Sequence, residues 1–567
     1  MRDLAFTLPA LAAARASGTR PSAIIAEAYR RLAARDDPGI FLHLADKSEA
    51  MAAADAADPA LPLAGIPFAV KDNIDVAGMP TTAACPALTY TPDEDAVVVA
   101  RLKAAGAIVI GKTNLDQFAT GLNGTRTPFP VPRNAVDDRL VPGGSSAGSA
   151  VAVGAGIVPF SLGTDTAGSG RVPAALNGIV GLKPTLGALS TTGVVPACRT
   201  LDAVSIFANT IEDAHHILAL AAAFDDADPY SRPIPIPPPT APEGLTLGVP
   251  QADTVAIHGG PSGAGAFAQA ITATGAKTAP FDFAPFAEIA ALLYAGAPLA
   301  ERLAVIEPFL TMPDAVHPVT RQVVEKAATM SAVDAVRDHD RLKTLARAVA
   351  PIIDSVDALM VPTIPAPCTL EEIEADPIGA NNRLGTYTNF VNLLDLCALA
   401  VPFAGTHVTL IARKGEDSRL AGIAAAMAGN PPAPALGPGE MALVVCGAHM
   451  SGLPLNGQLT ERGGRLLQAT TTAPAYRLLA LPGGPPARPG LIRVAEGGGS
   501  VAVEVWALPL AHVGSFLAGI PAPLGIGTVA LEDGSAAKGF LCEAVAEAGA
   551  QDITHLKSWR NFVTSSG

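Results

Sequence analysis

Apolar positions in the first three quarters of the chain alternate between two periods. "LPLAGIPFAVKD" and "AGAIVIGKT" are short apolar runs of the kind that form buried strands, whereas "EDAVVVARLKAAG" and "IEDAHHILALAAAF" repeat their apolar residues at helical spacing. From Ile306 to Ile353 the period is helical almost throughout. This alternation predicts an α/β fold, a large mixed β-sheet covered by helices on both faces. "PIPIPPPTAPEG", from Pro233, reads as a surface connection, because proline withdraws N–H donors from a ladder. The clearest boundary is the Pro/Gly stretch "NPPAPALGPGE", Asn430 to Glu440. After it come "MALVVCG", "AYRLLALPG", "GLIRVAEG", "VAVEVWALP" and "GIGTVALEDG", short strands separated by glycines, which predict a smaller β-rich domain. The expected layout is a first domain over 1–429, a linker over 430–440 and a second domain over 441–567. No repeat of solenoid period interrupts it.

Composition narrows the classes. A chain of 567 residues exceeds what one growing core holds, and 49% hydrophobic against 16% charged residues argues against disorder. The net charge of -14, without a Lys/Arg cluster, argues against nucleic acid and against an anionic membrane as partners. Cys85, Cys198, Cys368, Cys397, Cys446 and Cys542 show no CxxC spacing, so free thiols in a reducing cytosol are expected rather than a zinc site or a disulfide framework. Arg15 and Arg20 interrupt the N-terminal stretch where an export signal would need apolar residues. "SAVAVGAGIVPFSLG" is too short to span a bilayer. A soluble, cytoplasmic protein is expected, acting on a small molecule without metal or other cofactor, as a homodimer.

Two glycine/serine stretches carry the chemistry. "PGGSSAGSAVAVGAG", Pro142 to Gly156, and "SLGTDTAGSGRVPAALNGIVGLKPT", Ser161 to Thr185, each run from a tight loop into a helix-like segment. Either loop alone fits a phosphate cradle or a close-packed turn, but neither GxxxxGK[ST] nor GxGxxG is present. Lys71 adds a third element. It ends an apolar run that should carry its ammonium into the interior, where desolvation lowers its pKa and makes it a proton acceptor. A serine needs such a base, and triads in which lysine replaces histidine are one solution.

The set "GIPFAVKDNIDVAG", "GKTNLDQFATG" and "PGGSSAGSAVAVGAGIVPFSLGTDTAGSGRVPAALNGIVGLKPT" resembles the amidase signature family through about residue 425. The resemblance implies a Ser-Ser-Lys triad of Lys71, Ser145 as the middle serine beside a cis peptide, and Ser169 as the nucleophile. It implies an oxyanion hole from the N–H groups of Thr166, Ala167, Gly168 and Ser169. Arg171 is expected to pair with Asp165 and hold the loop.

Three features resemble the allophanate hydrolases within that family. "DTAGSGRVPAALNG" stands where the commoner form is "DTGGSIR"; the region beginning "VVCGAHMSGLPLNGQL" is similar to their C-terminal domain; and "LYAGAPLAERLAVIEPFL" sets Tyr294 and Arg302 eight positions apart, on one face of a helix. The resemblance implies that Tyr294 and Arg302 clamp the substrate carboxylate, against a plain surface pairing of Arg302 with Glu301 or Glu307. It also implies a C-terminal fold similar to gamma-glutamyl cyclotransferase-like domains, a small closed β structure, with His449 as candidate for decarboxylating the N-carboxycarbamate product. On the residues alone His449 is structural or catalytic. The competing readings are another amidase of the family, of aryl or malonamide type, or a component of an amidotransferase for charged tRNA. A non-enzymatic binding module would have lost Lys71 or Ser169.

Overall fold

The apolar runs ahead of the boundary assemble into one eleven-stranded sheet. Its strands are β1 (Phe41–Leu44), β2 (Pro67–Lys71), β3 (Ile108–Thr113), β4 (Phe160–Asp165), β5 (Val180–Lys183), β6 (Ala203–Ala208), β7 (Thr246–Pro250), β8 (Lys277–Phe281), β9 (Ala358–Pro362), β10 (Leu396–Phe403) and β11 (Thr406–Arg413). They lie in the order β1-β3-β2-β4-β6-β5-β10-β11-β9-β7-β8. The computed structural model describes residues 4–242, 244–431, 435–437 and 439–565. The chain splits into two units, Met1–Pro432 and Ala433–Gly567. The expected linker over 430–440 falls in part on 432–434 and 438, which lie outside the described residues.

The sheet is mixed. β2 pairs in parallel with β3 and with β4, and the helices Val97–Ala104 and Ala147–Gly154 supply the crossovers that parallel pairing requires. β4 then pairs antiparallel with β6, and β7 pairs in parallel with β8 and β9. β2, β4 and β6 are buried at every position, which is why their sequences read as continuous apolar runs rather than alternating ones. Phe68 and Phe160 face each other across β2 and β4 and stack with centroids 5.1 Å apart. Of the run Leu61–Asp72 only β2 is strand; turns precede it.

One stretch departs from the expected pattern. Ala284–Leu310 is, by length and composition, apolar enough to cross a membrane, yet Gly296 is extended (φ -124, ψ -168) and divides it into the helices Ala284–Ala295 and Pro298–Leu310. Phe286, Ile289 and Leu293 from the first of them are buried in the unit's interior.

The second unit holds β12 (Glu440–Val445), β13 (Arg465–Thr471), β14 (Tyr476–Ala480), β15 (Pro489–Arg493), β16 (Ala502–Pro509), β17 (Leu524–Ala530), β18 (Ala536–Cys542) and β19 (Gln551–Asp552). A five-stranded sheet runs β13-β16-β12-β18-β17 and a three-stranded one β15-β14-β19. The outer strands of the larger sheet meet where Ala473 N–H donates to Ala530 O (2.9 Å) and Glu532 N–H donates to Thr471 O (3.0 Å), so its two edges join into a closed structure. Its core gathers Leu443, Val445, Tyr476, Trp506 and Trp559.

Phe160→Ala removes one ring of a fully buried stack and is expected to destabilise the first unit by about 3–5 kcal/mol. Thermal and denaturant unfolding followed by circular dichroism measure it. A loss below about 1 kcal/mol would show that the stack is not part of the rigid core.

Candidate active site

Parallel pairing of β2 with β4 decides where the candidate base sits. Val70 is in register with Leu162, so Lys71, the last residue of β2, lies beside the C-terminal end of β4. Its Nζ is hydrogen-bonded to Thr164 Oγ1 at 2.7 Å and to Ser145 Oγ at 2.8 Å. Lys71, Ser145 and Thr164 are all buried. Burial pushes the Lys71 pKa down to about 7, against the opposing pull of Asp116, Asp202 and Asp165. Ser145 follows a cis Gly144–Ser145 peptide and precedes the helix Ala147–Gly154. A side chain at position 144 would meet Asp116 Oδ2 at 2.0 Å, so only glycine fits there. Asp116 in turn accepts the N–H groups of Gly124 (3.0 Å) and Arg126 (2.9 Å).

The loop after β4 carries Ser169. Asp165 anchors it: the carboxylate takes Arg171 Nε and Nη2, each at 2.9 Å, and Gly170 N–H at 2.9 Å. The expected Arg171–Asp165 pair is therefore present, fully buried, with the guanidinium holding the carboxyl below its ordinary value against the effect of burial. Thr166 Oγ1 bonds the Asp202 carboxyl, which also accepts Ala197 N–H at 2.8 Å. Gly168 is forced by Thr388, whose Oγ1 lies 2.3 Å from where a Cβ would stand. Ser169 Oγ donates to Gly121 O at 3.5 Å, the long limit of a hydrogen bond. No Ser145–Ser169 hydrogen bond occurs among the described residues. In the same set, the N–H groups of Thr166, Ala167, Gly168 and Ser169 donate to no protein acceptor.

Tyr294 and Arg302 meet, though not as expected. The break at Gly296 puts them on two successive helices rather than on one helical face, because the extended glycine resets the helical phase. The guanidinium lies 5.2 Å from the Tyr294 ring centroid. Arg302 is 1% exposed; its Nη1 donates to Ala119 O (3.3 Å) and Thr120 Oγ1 (3.2 Å), while Nε, Nη2 and the Tyr294 hydroxyl have no partner among the described residues. The alternative pairing with Glu301 does not occur, since that carboxylate accepts Thr200 N–H (3.0 Å) and Oγ1 (2.6 Å). Tyr294 lines a cavity of about 410 Å³ with Arg126, Asn381 and Asn389. Asn381 Oδ1 accepts Leu122 N–H at 2.8 Å, next to the carbonyl that holds Ser169.

In the second unit His449 follows β12. Its ring stacks on Phe540 (5.1 Å, 19°) and meets Phe516 edge-on (5.2 Å), and its Nε2 is hydrogen-bonded to Gln458 Oε1 at 3.1 Å. Burial lowers its pKa from the ordinary histidine value.

Thr164, Asp116 and Asp202 escaped the sequence reading. Thr164 and Asp116 lie inside the quoted motifs, but their roles come from strand register and loop closure, which spacing does not reveal.

Residues 23–423 match the family model described as Amidase, and 441–564 match the one described as Allophanate hydrolase C-terminal domain. The chain belongs to the amidase family. The urea amidolyase of Lachancea kluyveri is 43% identical over 546 residues, 89% of this chain and 30% of that protein, so the chain spans about 30% of the length of that relative. A glutamyl-tRNA(Gln) amidotransferase component from Lacticaseibacillus paracasei is 45% identical over 220 residues, 38% of this chain and 46% of its own length. Among solved structures, selenomethionine-substituted Kluyveromyces lactis allophanate hydrolase aligns over 100% of both chains, with TM-score 0.81 and 37% identity.

Lys71 sets a stability test that is separate from activity. Its folded pKa of about 7 lies below the unfolded value of about 10.4, so the unfolded chain binds the extra proton between those limits and folding stability rises with pH across that window. Lys71→Met removes the penalty and keeps the volume. It is expected to raise the unfolding midpoint at pH 6, and by less at pH 9.5. A variant less stable than wild type at both pH values would overturn the electrostatic account.

Proposed function

We propose that this chain is an allophanate hydrolase, an amidohydrolase of urea degradation that releases ammonia from allophanate and leaves N-carboxycarbamate. The observation that carries the substrate assignment is the buried Arg302, which keeps two N–H donors and a neighbouring Tyr294 hydroxyl unpartnered among the described residues. Guanidinium donors left free in the interior suit a carboxylate held in a bidentate fork. Allophanate joins that carboxylate to the amide to be cut.

The reaction follows from the Lys71–Ser145 contact. Once Ser169 Oγ turns from Gly121 O to Ser145 Oγ, neutral Lys71 takes the Ser145 proton as Ser145 takes that of Ser169, and Ser169 Oγ attacks the amide carbon. The carbonyl oxygen becomes an oxyanion facing the N–H groups of Thr166 to Ser169, where one donor in comparable sites contributes about 3–4 kcal/mol. The C–N bond breaks, the proton returns through Ser145 to the departing nitrogen, and water then hydrolyses the acyl-Ser169 ester. Asp165 and Arg171 hold the loop and take no part in the chemistry.

The second unit acts on the product. His449 relays a proton from solvent to the nitrogen of N-carboxycarbamate, the C–N electron pair stays on nitrogen, and carbon dioxide and carbamate result. The two units are domains in this reading, each with its own step. The cysteines of the described residues are all unpaired, which supports a reducing, cytoplasmic setting.

Ammonia release from allophanate beside malonamide, biuret and glutamine tests the assignment, and preference for a neutral amide or for glutamine would favour another amidase or an amidotransferase component. Ser169→Ala is expected to abolish turnover in a folded protein, and substantial residual activity would remove Ser169 as nucleophile. Arg302→Leu is expected to lower kcat/KM for allophanate by about 100-fold or more, about 2.7 kcal/mol, with little change on malonamide. Equal losses on both substrates would assign Arg302 to structure.

A further inference from the structure

The cavity of about 410 Å³ in the first unit is lined by a buried acceptor that no protein donor reaches among the described residues. Asn389 is 8% exposed, and its Oδ1 has no hydrogen-bond partner in that set. The Tyr294 hydroxyl, on the same cavity, is also unpartnered, so the two groups do not satisfy each other. The other buried amide of the lining, Asn381, is fully occupied, because its Oδ1 accepts both Leu122 N–H (2.8 Å) and Asn123 Nδ2 (2.9 Å). Among the described residues no Asp or Glu lines the cavity. A carbonyl oxygen kept from water without a donor carries a desolvation cost that a purely structural amide would avoid.

The position of Asn389 is set by the loop that carries Ser169. Its own N–H donates to Gly385 O at 3.1 Å, and the chain on either side of it is tied to that loop. Arg171 Nη1 donates to Thr388 O (3.1 Å), and Asn392 Nδ2 donates to Asp165 O (2.8 Å) and Leu201 O (2.9 Å). Tyr294 lines the cavity and Ser169 does not. A molecule with its carboxylate at Tyr294 and its carbonyl carbon at Ser169 thus presents to Asn389 the atom that joins the two. We propose that Asn389 is a specificity-determining residue, whose Oδ1 accepts a hydrogen bond from the N–H linking carboxylate and carbonyl in the substrate. The placement of that carboxylate rests on the function proposed above. Asn389 then separates a carboxylated urea from a carboxylated amide of the same length, in which CH2 replaces the N–H and leaves Oδ1 buried and unpaired. Tyr294 and Arg302 read the charge that both molecules share.

Malonamate is the CH2 counterpart of allophanate. Ammonia release from each is measured with full-length wild type, Asn389→Leu and Asn389→Asp, and the ratio of the two kcat/KM values is compared between proteins, which cancels the intrinsic reactivity of the substrates. Where malonamate binds without being cut, its inhibition constant against allophanate replaces kcat/KM. Asn389→Leu is expected to lose about 10-fold or more on allophanate and less than about 3-fold on malonamate. Asn389→Asp keeps an acceptor oxygen, so it is expected to hold the wild-type ratio to within about 3-fold while losing on both substrates, since its charge repels their carboxylate. Equal losses on both substrates in Asn389→Leu assign Asn389 to structure and overturn the proposal. A ratio that collapses as far in Asn389→Asp as in Asn389→Leu also overturns it, because an acceptor is then not what matters. Wild type that releases no ammonia from allophanate removes the function proposed above and this assignment with it, whereas turnover of allophanate with an unchanged ratio removes the assignment alone. Asn389→Ala, judged by the same ratio, covers the case in which Asn389→Leu does not fold.

Discussion

The first unit is organised around an amine kept out of water with no ion-pair partner among the described residues. Lys71 enters the interior on β2, and the parallel register with β4 brings it to two hydroxyls, Thr164 and Ser145, rather than to a carboxylate. A carboxylate in contact would stabilise the ammonium and hold the proton. Two hydroxyls instead leave the amine close to neutrality, and one of them belongs to a chain of groups able to pass a proton onward. The requirement for burial fixes much else. β2 and β4 are covered on both faces, the helix Ala147–Gly154 brings Ser145 down onto them, and glycines at 144 and 168 let loops approach more closely than any side chain permits.

Acids do surround Lys71, each already committed elsewhere. Asp116 is engaged by the Gly124 and Arg126 N–H groups, Asp165 by Arg171 and Gly170, and Asp202 by Thr166 and the Ala197 N–H. They moderate the cost of a buried amine from a distance, and the hydrogen bonds that occupy them also set the loops around Ser169. Electrostatic tuning and loop geometry therefore share the same three carboxyls. A change at any of them is felt in both the basicity of Lys71 and the placement of backbone donors. Asp116 and Asp202 sit in irregular segments next to strands, and Asp165 is the last residue of β4.

How much of this was legible depends on whether the signal was local. Lys71 stood out because a charged residue closes an apolar run, and the two loops because of their glycine/serine composition; which serines in them matter, Ser145 and Ser169, came from the resemblance to the amidase signature family. The α/β layering and the glycine-spaced strands of the second unit came from periodicity. Thr164 was out of reach because it meets Lys71 through the register of strands separated by more than ninety residues. The helix break at Gly296 was missed because alanines and leucines continue the apolar pattern across it, and only the backbone angle reveals the turn. β13 and β18 went unseen because their sequences, "RLLQATT" and "AAKGFLC", are only partly apolar; β18 is held between β12 and β17, and β13 by β16 along one side.

The treatment of arginine ties the two units together. A chain with 52 acidic residues offers a carboxylate to almost any guanidinium that needs one, and Arg171, Arg232, Arg465 and Arg560 each take one. Arg302 does not, and Arg101, Arg126 and Arg462 donate to carbonyl or hydroxyl oxygens instead. Arg302 is buried with Nε and Nη2 unsatisfied among the described residues, which carries a desolvation cost that a structural role would avoid by adding an acceptor. The absence of an acid beside Arg302 leaves those two donors available to an incoming anion. A planar guanidinium with two parallel donors free suits a carboxylate, which can accept both at once.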